Sequence, residues 1–181
     1  MKTFDKHLLQ RFAELISKKT GLRIHSQDIE TLRKIIFART KFHVLSSPEA
    51  YYQLLDADTE KSRLEQQELI GLLTVGETYF SRDEGQFELL KNTILPALIE
   101  RHKDDRTLRI WSAGCSTGEE PYSLAILIDE ILPHRDDWNI LILGTDINEK
   151  ALVKARRGLY TQWSLRMVNP DIRERYFMSY L

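Results

Sequence analysis

Two short apolar runs, TLRIWSAG at 107–114 and NILILGTDI at 139–147, are separated by one helix-length stretch and followed by another. Each run ends at a glycine-containing or acidic turn, as strands buried under helices do. Between them lies EEPYSLAILIDEIL, a helix apolar on much of its surface. After the second comes NEKALVKARRGLY, with Asn148 as a natural N-cap and Gly158 as a natural C-terminal stop. Strand, helix, strand, helix within ~50 residues predicts a right-handed βαβ unit with a parallel strand pair.

The first 75 residues read instead as a series of helices. In DKHLLQRFAELISKKTG, Leu8, Leu9, Phe12, Leu15 and Ile16 recur at helical spacing and Gly21 follows as a C-terminal cap. A second helix is expected from near Ser26, with Asp28 and Glu30 in its first turn, an apolar stripe of Ile29, Leu32, Ile35 and Ile36, and Lys34 and Lys41 on its other side. A third starts at SSPEAYYQLL, where Ser47 caps and Pro48 takes the first helical position. A fourth covers EQQELIGLLTV. The segment TVGETYFSRD then connects to a longer helix, DEGQFELLKNTILPALIER, which Pro96 should kink, and HKDDR is a polar loop. The expected organisation is a helical domain at 1–75, a linker with the long helix at 76–106, and the α/β part at 107–181.

At 181 residues, 42% apolar and 29% charged, the chain has the balance of a soluble globular protein, with no repeat and no low-complexity segment. It has no run of roughly 18 apolar residues to span a membrane, and the start MKTFDKHLLQRF is too charged for a signal peptide. The single cysteine, Cys115, excludes an internal disulfide framework and fits a reducing, cytoplasmic setting. His7, His25, His43, His102 and His134 are scattered without ligand-like spacing, so no metal site is expected. The net charge of −1 hides an asymmetry: residues 1–43 hold ten Lys/Arg against four Asp/Glu, and residues 44–75 two against six. A basic N-terminal face fits either an acidic partner or solvated helix faces with no partner. Nucleic acid is disfavoured as that partner, because basic and aromatic residues do not interleave in the RNA-binding manner.

The chemistry concentrates after the first strand. A small-residue turn leading into a helix N-terminus usually receives an anion, but here the helix opens with Glu119 and Glu120, which would repel phosphate. SAGCSTGEEP also lacks the three-glycine dinucleotide fingerprint and the P-loop lysine, which disfavours NAD and ATP. Asp146 ends the second strand 32 residues after Gly114, a spacing at which a carboxylate reaches a ribose bound over the first turn. The plainer reading is that Asp146 caps the next helix or makes a turn. A nucleoside without phosphates fits, and S-adenosylmethionine suits the charges: its ribose for Asp146, its ammonium for Glu119, its carboxylate for the fork of Arg82, with the Thr78 hydroxyl nearby. Arg82 and Glu84 also suit a plain helix start. Cys115 has no activating neighbour in sequence, so a nucleophilic role is rejected, and Tyr122 is expected to pack.

ETYFSR, RIWSAGCSTGEEPYSLAI, GTDINEKALVKARRGLY and the closing RERYFMSYL together resemble, in order along the chain, the CheR-type chemotaxis protein-glutamate O-methyltransferases. The resemblance implies a Rossmann-like methyltransferase domain behind an N-terminal helical domain, S-adenosyl-L-methionine as cofactor with S-adenosyl-L-homocysteine as product, and methylation of glutamates on chemoreceptors. Residue by residue, it assigns cofactor contacts to Thr78, Arg82, Glu119 and Asp146 and to the backbone at Ala113 and Gly114. Arg82 is also the one catalytic candidate, orienting the substrate carboxylate, although one arginine cannot easily serve both roles. Two positions depart from the pattern: Gly76 where many members have asparagine, and Ser81 where an aromatic is usual before the arginine. The departures put one cofactor contact and the packing that aims Arg82 in doubt.

The resemblance further implies docking of acidic receptor helices on the basic N-terminal domain, with Lys18, Lys19, Arg23, Arg33, Lys34 and Lys41 as candidates. Family members continue past the point that matches Leu181, so the methyltransferase domain is expected to be its first half only, leaving a central strand edge exposed. Three explanations follow: a fragment of a longer protein, a sheet completed by self-association through that edge, or a shortened homologue kept for binding. The rival functional reading is a non-enzymatic module that binds a receptor or signalling partner and retains a relic cofactor site.

Overall fold

In the computed structural model, which describes residues 5–74, 76–132 and 134–179, the helix signals of the N-terminal region close around one apolar cluster. Helix α1, Lys6–Thr20, starts where the Asp5 carboxylate accepts from the His7 amide and stops at Gly21, which is left-handed. Its buried face is the expected Leu8, Leu9, Phe12, Leu15 and Ile16. Helix α2 spans Ile29–Phe42, slightly later than predicted, because Ser26–Asp28 forms a 3-10 turn and the Asp28 side chain makes no cap bond. Helix α3, Pro48–Asp56, begins as expected with Ser47 Oγ accepting from the Ala50 amide.

Helix α4, Glu60–Leu73, begins five residues before the predicted start at Glu65, capped by Thr59. Its first turn looked polar because a buried contact there is made by a serine: Ser62, fully buried, donates to the Leu55 carbonyl at 2.9 Å. The last predicted residue of that helix, Val75, lies outside the described residues.

At the centre of this unit an acidic residue replaces a hydrophobe. Glu65, on α4, is 3% exposed. It receives Arg39 Nε at 2.7 Å and Nη2 at 2.5 Å, the Tyr51 hydroxyl at 2.7 Å, and sits 2.6 Å from His43 Nε2. These bonds join α2, α3 and α4.

The chain divides into two units, Met1–Val75 and Gly76–Leu181. In the second, the predicted long helix is interrupted: α5 is Glu84–Leu89, a π-helical turn occupies Leu90–Ile94, and α6 is Leu95–Arg101. The wider turn ends where the Leu95 amide bonds back to the Leu90 carbonyl, one residue before Pro96, whose ring would clash with the carbonyl four residues back in a regular helix. The expected strands follow: β1 is Thr107–Ala113 and β2 is Asn139–Thr145, parallel, with Thr107 opposite Asn139 and Ala113 opposite Thr145. Helix α7, Glu119–Ile131, makes the crossover, and α8, Glu149–Arg157, follows β2 between the predicted Asn148 cap and left-handed Gly158. A short α9, Pro170–Tyr176, comes last, and of RERYFMSYL the residues Tyr180 and Leu181 lie outside the described residues.

Leu95, Leu108, Ile128 and Leu132 form the core beneath the sheet. The strands were expected to be buried throughout, yet Trp111, Leu141 and Leu143 are exposed. Only one face of the pair is covered by packed elements among the described residues.

Burial works against the ionised form of Glu65, but the hydrogen bonds from Arg39, Tyr51 and His43 outweigh it and hold the carboxyl below its ordinary 4.5. A pKa depressed on folding contributes stability that is present above the unfolded value and lost as pH falls through the native one. Glu65→Ala is expected to cost about 3–5 kcal/mol in chemical denaturation, since it leaves the half-buried Arg39 and the buried Tyr51 hydroxyl without their partner. The loss of stability on acidification below 4.5 should shrink in the variant. A cost below about 1 kcal/mol would contradict a structural role.

Candidate functional site

The loop after β1 is fixed by the end of β2. Gly114 and Cys115 donate their amides to the Thr145 carbonyl at 2.7 and 2.9 Å, and the Ser116 amide donates to Asp146 Oδ2 at 2.8 Å. The other oxygen of Asp146 accepts from the Asn148 amide at 2.7 Å. Asp146 is thus both the turn-maker of the plainer reading and the tie between the loops at the carboxyl ends of the two strands. Each of its oxygens has further acceptor capacity.

The loop then turns through Ser116 and Gly118, both with positive φ. Gly118 is constrained twice, by its φ of 95° and by crowding, because a Cβ there would lie 2.8 Å from the Ala155 Cβ and 2.9 Å from the Tyr160 hydroxyl. Gly114 has a φ of 76° but open space, with nothing within 4 Å of a Cβ. The backbone at Gly114 is therefore uncovered by side chains, unlike that at Gly118.

Glu119 begins α7 and is 2% exposed. Thr117 Oγ1 donates to its Oε2 at 2.6 Å and Ser164 Oγ to its Oε1 at 3.1 Å. No basic side chain pairs with it among the described residues. A helix N-terminus favours this charge, but two hydroxyls are thin compensation for a buried carboxylate. Glu120, in contrast, is exposed and accepts from the Ser112 hydroxyl at 2.6 Å.

The segment ETYFSR is held beside this loop by Phe80. The ring is 1% exposed and packs edge-on against Tyr160 and Phe177, with centroids 4.8 and 4.9 Å away. The Phe80 amide donates to the Ser164 carbonyl at 3.0 Å and the Ser81 amide to Ser123 Oγ at 2.9 Å, while Ser116 Oγ reaches the Gly76 carbonyl at 3.4 Å. Ser81 and Asp83 both take left-handed backbone, with φ of 56° and 66°, so the chain reverses sharply on either side of Arg82. Arg82 is exposed and donates from Nη1 to the Glu77 carbonyl at 2.6 Å. Thr78 is half-buried and Ala113 exposed. Arg166 stacks on Tyr79, 3.8 Å from the ring centre, and on Trp163 at 4.1 Å.

The predicted site residues are therefore joined through intermediaries that sequence reading missed. Ser116 links Gly76 to Asp146, Ser123 links Ser81 to the Glu119 carbonyl, and Ser164 links Phe80 to the Glu119 carboxylate. Lone serines carry no pattern, and Ser164 lies 45 residues from Glu119. Cys115 is buried, and its thiol is pushed up first by burial and then by the Asp146 charge, the reverse of nucleophile activation. Tyr122 packs edge-on against Tyr160 and bonds the Ala155 carbonyl.

The donor set fits S-adenosylmethionine by its chemistry: a buried carboxylate short of a cation, a second carboxylate with acceptor capacity, an exposed guanidinium and an open backbone turn.

The sequence model described as CheR methyltransferase, SAM binding domain, matches residues 76–180. The chain is 34% identical over 152 residues to a probable chemotaxis protein methyltransferase of Rhizobium etli, covering 82% of this chain and 56% of the relative. It is 32% identical over 160 residues to a chemotaxis protein methyltransferase of Borreliella burgdorferi, covering 87% and 56%. It is 32% identical over 167 residues to chemotaxis protein methyltransferase 2 of Vibrio cholerae, covering 92% and 57%. The chain spans a little over half the length of these curated relatives.

The two glycines generate expectations of the same sign and different size. Gly114→Ala should cost only the left-handed backbone penalty, about 1–2 kcal/mol. Gly118→Ala should add about 1–3 kcal/mol of overpacking against Ala155 and Tyr160. Urea unfolding of both variants checks this, and equal costs would contradict the crowding at Gly118.

Proposed function

The chain belongs to the CheR methyltransferase family, and on that premise we propose that it serves S-adenosylmethionine-dependent methylation of glutamate side chains on chemoreceptors. The observation that carries this reading is the pair of carboxylates tied to one turn, Asp146 through the Ser116 amide and Glu119 through the Thr117 hydroxyl. When bound, the cofactor supplies an electrophilic methyl group on a positively charged sulfur.

The chain's own residues bind and orient. Asp146 accepts the ribose hydroxyls, Glu119 the ammonium, and Arg82 with Thr78 holds the carboxylate end, while Ala113 and Gly114 let the ligand approach the backbone. No general base is called for, because an acceptor glutamate is already ionised at neutral pH. Positioning of the acceptor carboxylate is the main catalytic device, and with Arg82 committed to the cofactor's carboxylate end, the acceptor is oriented by other contacts. The hydrogen bond from Arg82 to Glu77 keeps the guanidinium within its own segment until a carboxylate competes for it.

The basic face of the N-terminal unit is the proposed dock for acidic receptor helices. Lys18, Lys19, Arg23, Lys34 and Lys41 are exposed, and Arg33 is engaged by Glu30 in a two-point pair. Arg39 is withdrawn from the face by Glu65.

Transfer of labelled methyl to a receptor fragment tests the reading. Lys34→Glu with Lys41→Glu should slow transfer at least tenfold, as the loss of about 1.4 kcal/mol of attraction would, and leave cofactor affinity unchanged. Equal loss of both would contradict the dock. Cofactor binding without transfer to any receptor fragment would favour the non-enzymatic binding module.

A further inference from the structure

We propose that Ser164 is a positioning residue for the cofactor's ammonium group, acting through Glu119. The inference rests on the reading of Glu119 as the ammonium acceptor and deepens it. Ser164 lies in the turns between α8 and α9, outside the strand-loop-helix motif and outside ETYFSR. Two of its three polar groups face the two halves of the site. The carbonyl accepts the Phe80 amide at 3.0 Å and so holds the segment that bears Thr78 and Arg82. The hydroxyl donates to Glu119 Oε1 at 3.1 Å.

Glu119 has one hydroxyl donor on each oxygen, Thr117 on Oε2 and Ser164 on Oε1, and no basic partner among the described residues. A carboxylate has about four acceptor positions. The two hydroxyls therefore fix its rotation while leaving acceptor positions for a cation, and they do so in a buried place where one is needed. Thr117 shares the loop with Glu119 and moves with it. Ser164 is the donor that comes from elsewhere in the fold, so it sets the carboxylate against a fixed frame. The Ser164 amide is tied to the Thr161 carbonyl at 3.0 Å, which anchors the frame itself.

Ser164→Ala removes the hydroxyl and keeps the carbonyl that holds Phe80, which separates the two functions. The test is calorimetric binding of S-adenosylhomocysteine and of its deaminated analogue, in which hydrogen replaces the α-amino group, to the wild-type chain, Ser164→Ala and Ser164→Thr. The wild type is expected to bind S-adenosylhomocysteine at least tenfold more tightly than the analogue. Ser164→Ala should weaken S-adenosylhomocysteine five- to tenfold and leave the analogue within twofold, and Ser164→Thr, which keeps the hydroxyl, should bind as the wild type does.

A loss shared equally by both ligands, or no loss, would overturn the positioning role while leaving the cofactor reading in place. The positioning role would equally fall if Ser164→Thr failed to match the wild type in binding while retaining its melting temperature. A wild type that does not discriminate between the ligands would overturn the role of Glu119 and with it this proposal. A wild type that binds neither ligand would overturn the cofactor reading itself.

Discussion

The carboxylate of Asp146 holds together the end of the molecule where the chemistry is proposed. Parallel strands leave backbone donors without partners where they end, and these must be satisfied locally. Here Gly114, Cys115 and Ser116 present three successive amides toward β2, two taken by the Thr145 carbonyl and the third by Asp146. The remaining carboxylate oxygen closes the start of α8 through Asn148. The loop is therefore shaped before any ligand arrives, and the start of α7, with Glu119, is set by the same bonds. Preorganisation of this kind spares a ligand the cost of ordering the loop.

A second tether brings ETYFSR to that loop. One buried ring, Phe80, supplies the hydrophobic anchor between Tyr160 and Phe177, and serine hydroxyls and carbonyls fix the backbone on either side of it. Ser81 was expected to loosen the aim of Arg82 by lacking an aromatic ring. Its amide is anchored on Ser123, and left-handed backbone at Ser81 and Asp83 flanks the exposed Arg82. The buried Glu65 network plays the comparable part in the N-terminal unit, joining three helices through one carboxylate.

Local signals were legible in the sequence because each depends on a few neighbouring residues. Gly21, Ser47 with Pro48, Asn148 and Gly158 cap helices as their chemistry requires, and the two apolar runs form the parallel pair. Features that depend on distant partners were not legible. The start of α4 was hidden because Ser62 is buried against a carbonyl of α3, and the π turn arises from fitting Pro96 into a continuing helix. Trp111, Leu141 and Leu143 read as core and are exposed, since apolar character states a preference for burial and not what supplies the cover. At the candidate site, the charges of Glu119, Asp146 and Arg82 could be matched to a ligand from the sequence. The serines that join them could not, because each acts across 30 or more residues.

The central claim is that S-adenosylmethionine is held at the carboxyl ends of β1 and β2 by the loops described above. Amide resonances of the isotopically labelled chain, followed during titration with S-adenosylhomocysteine, test it most directly. The account predicts perturbations concentrated in residues 76–82, 113–119 and 145–148, with residues 5–74 unmoved. Perturbations confined to the N-terminal helices, or none at millimolar ligand, would contradict it.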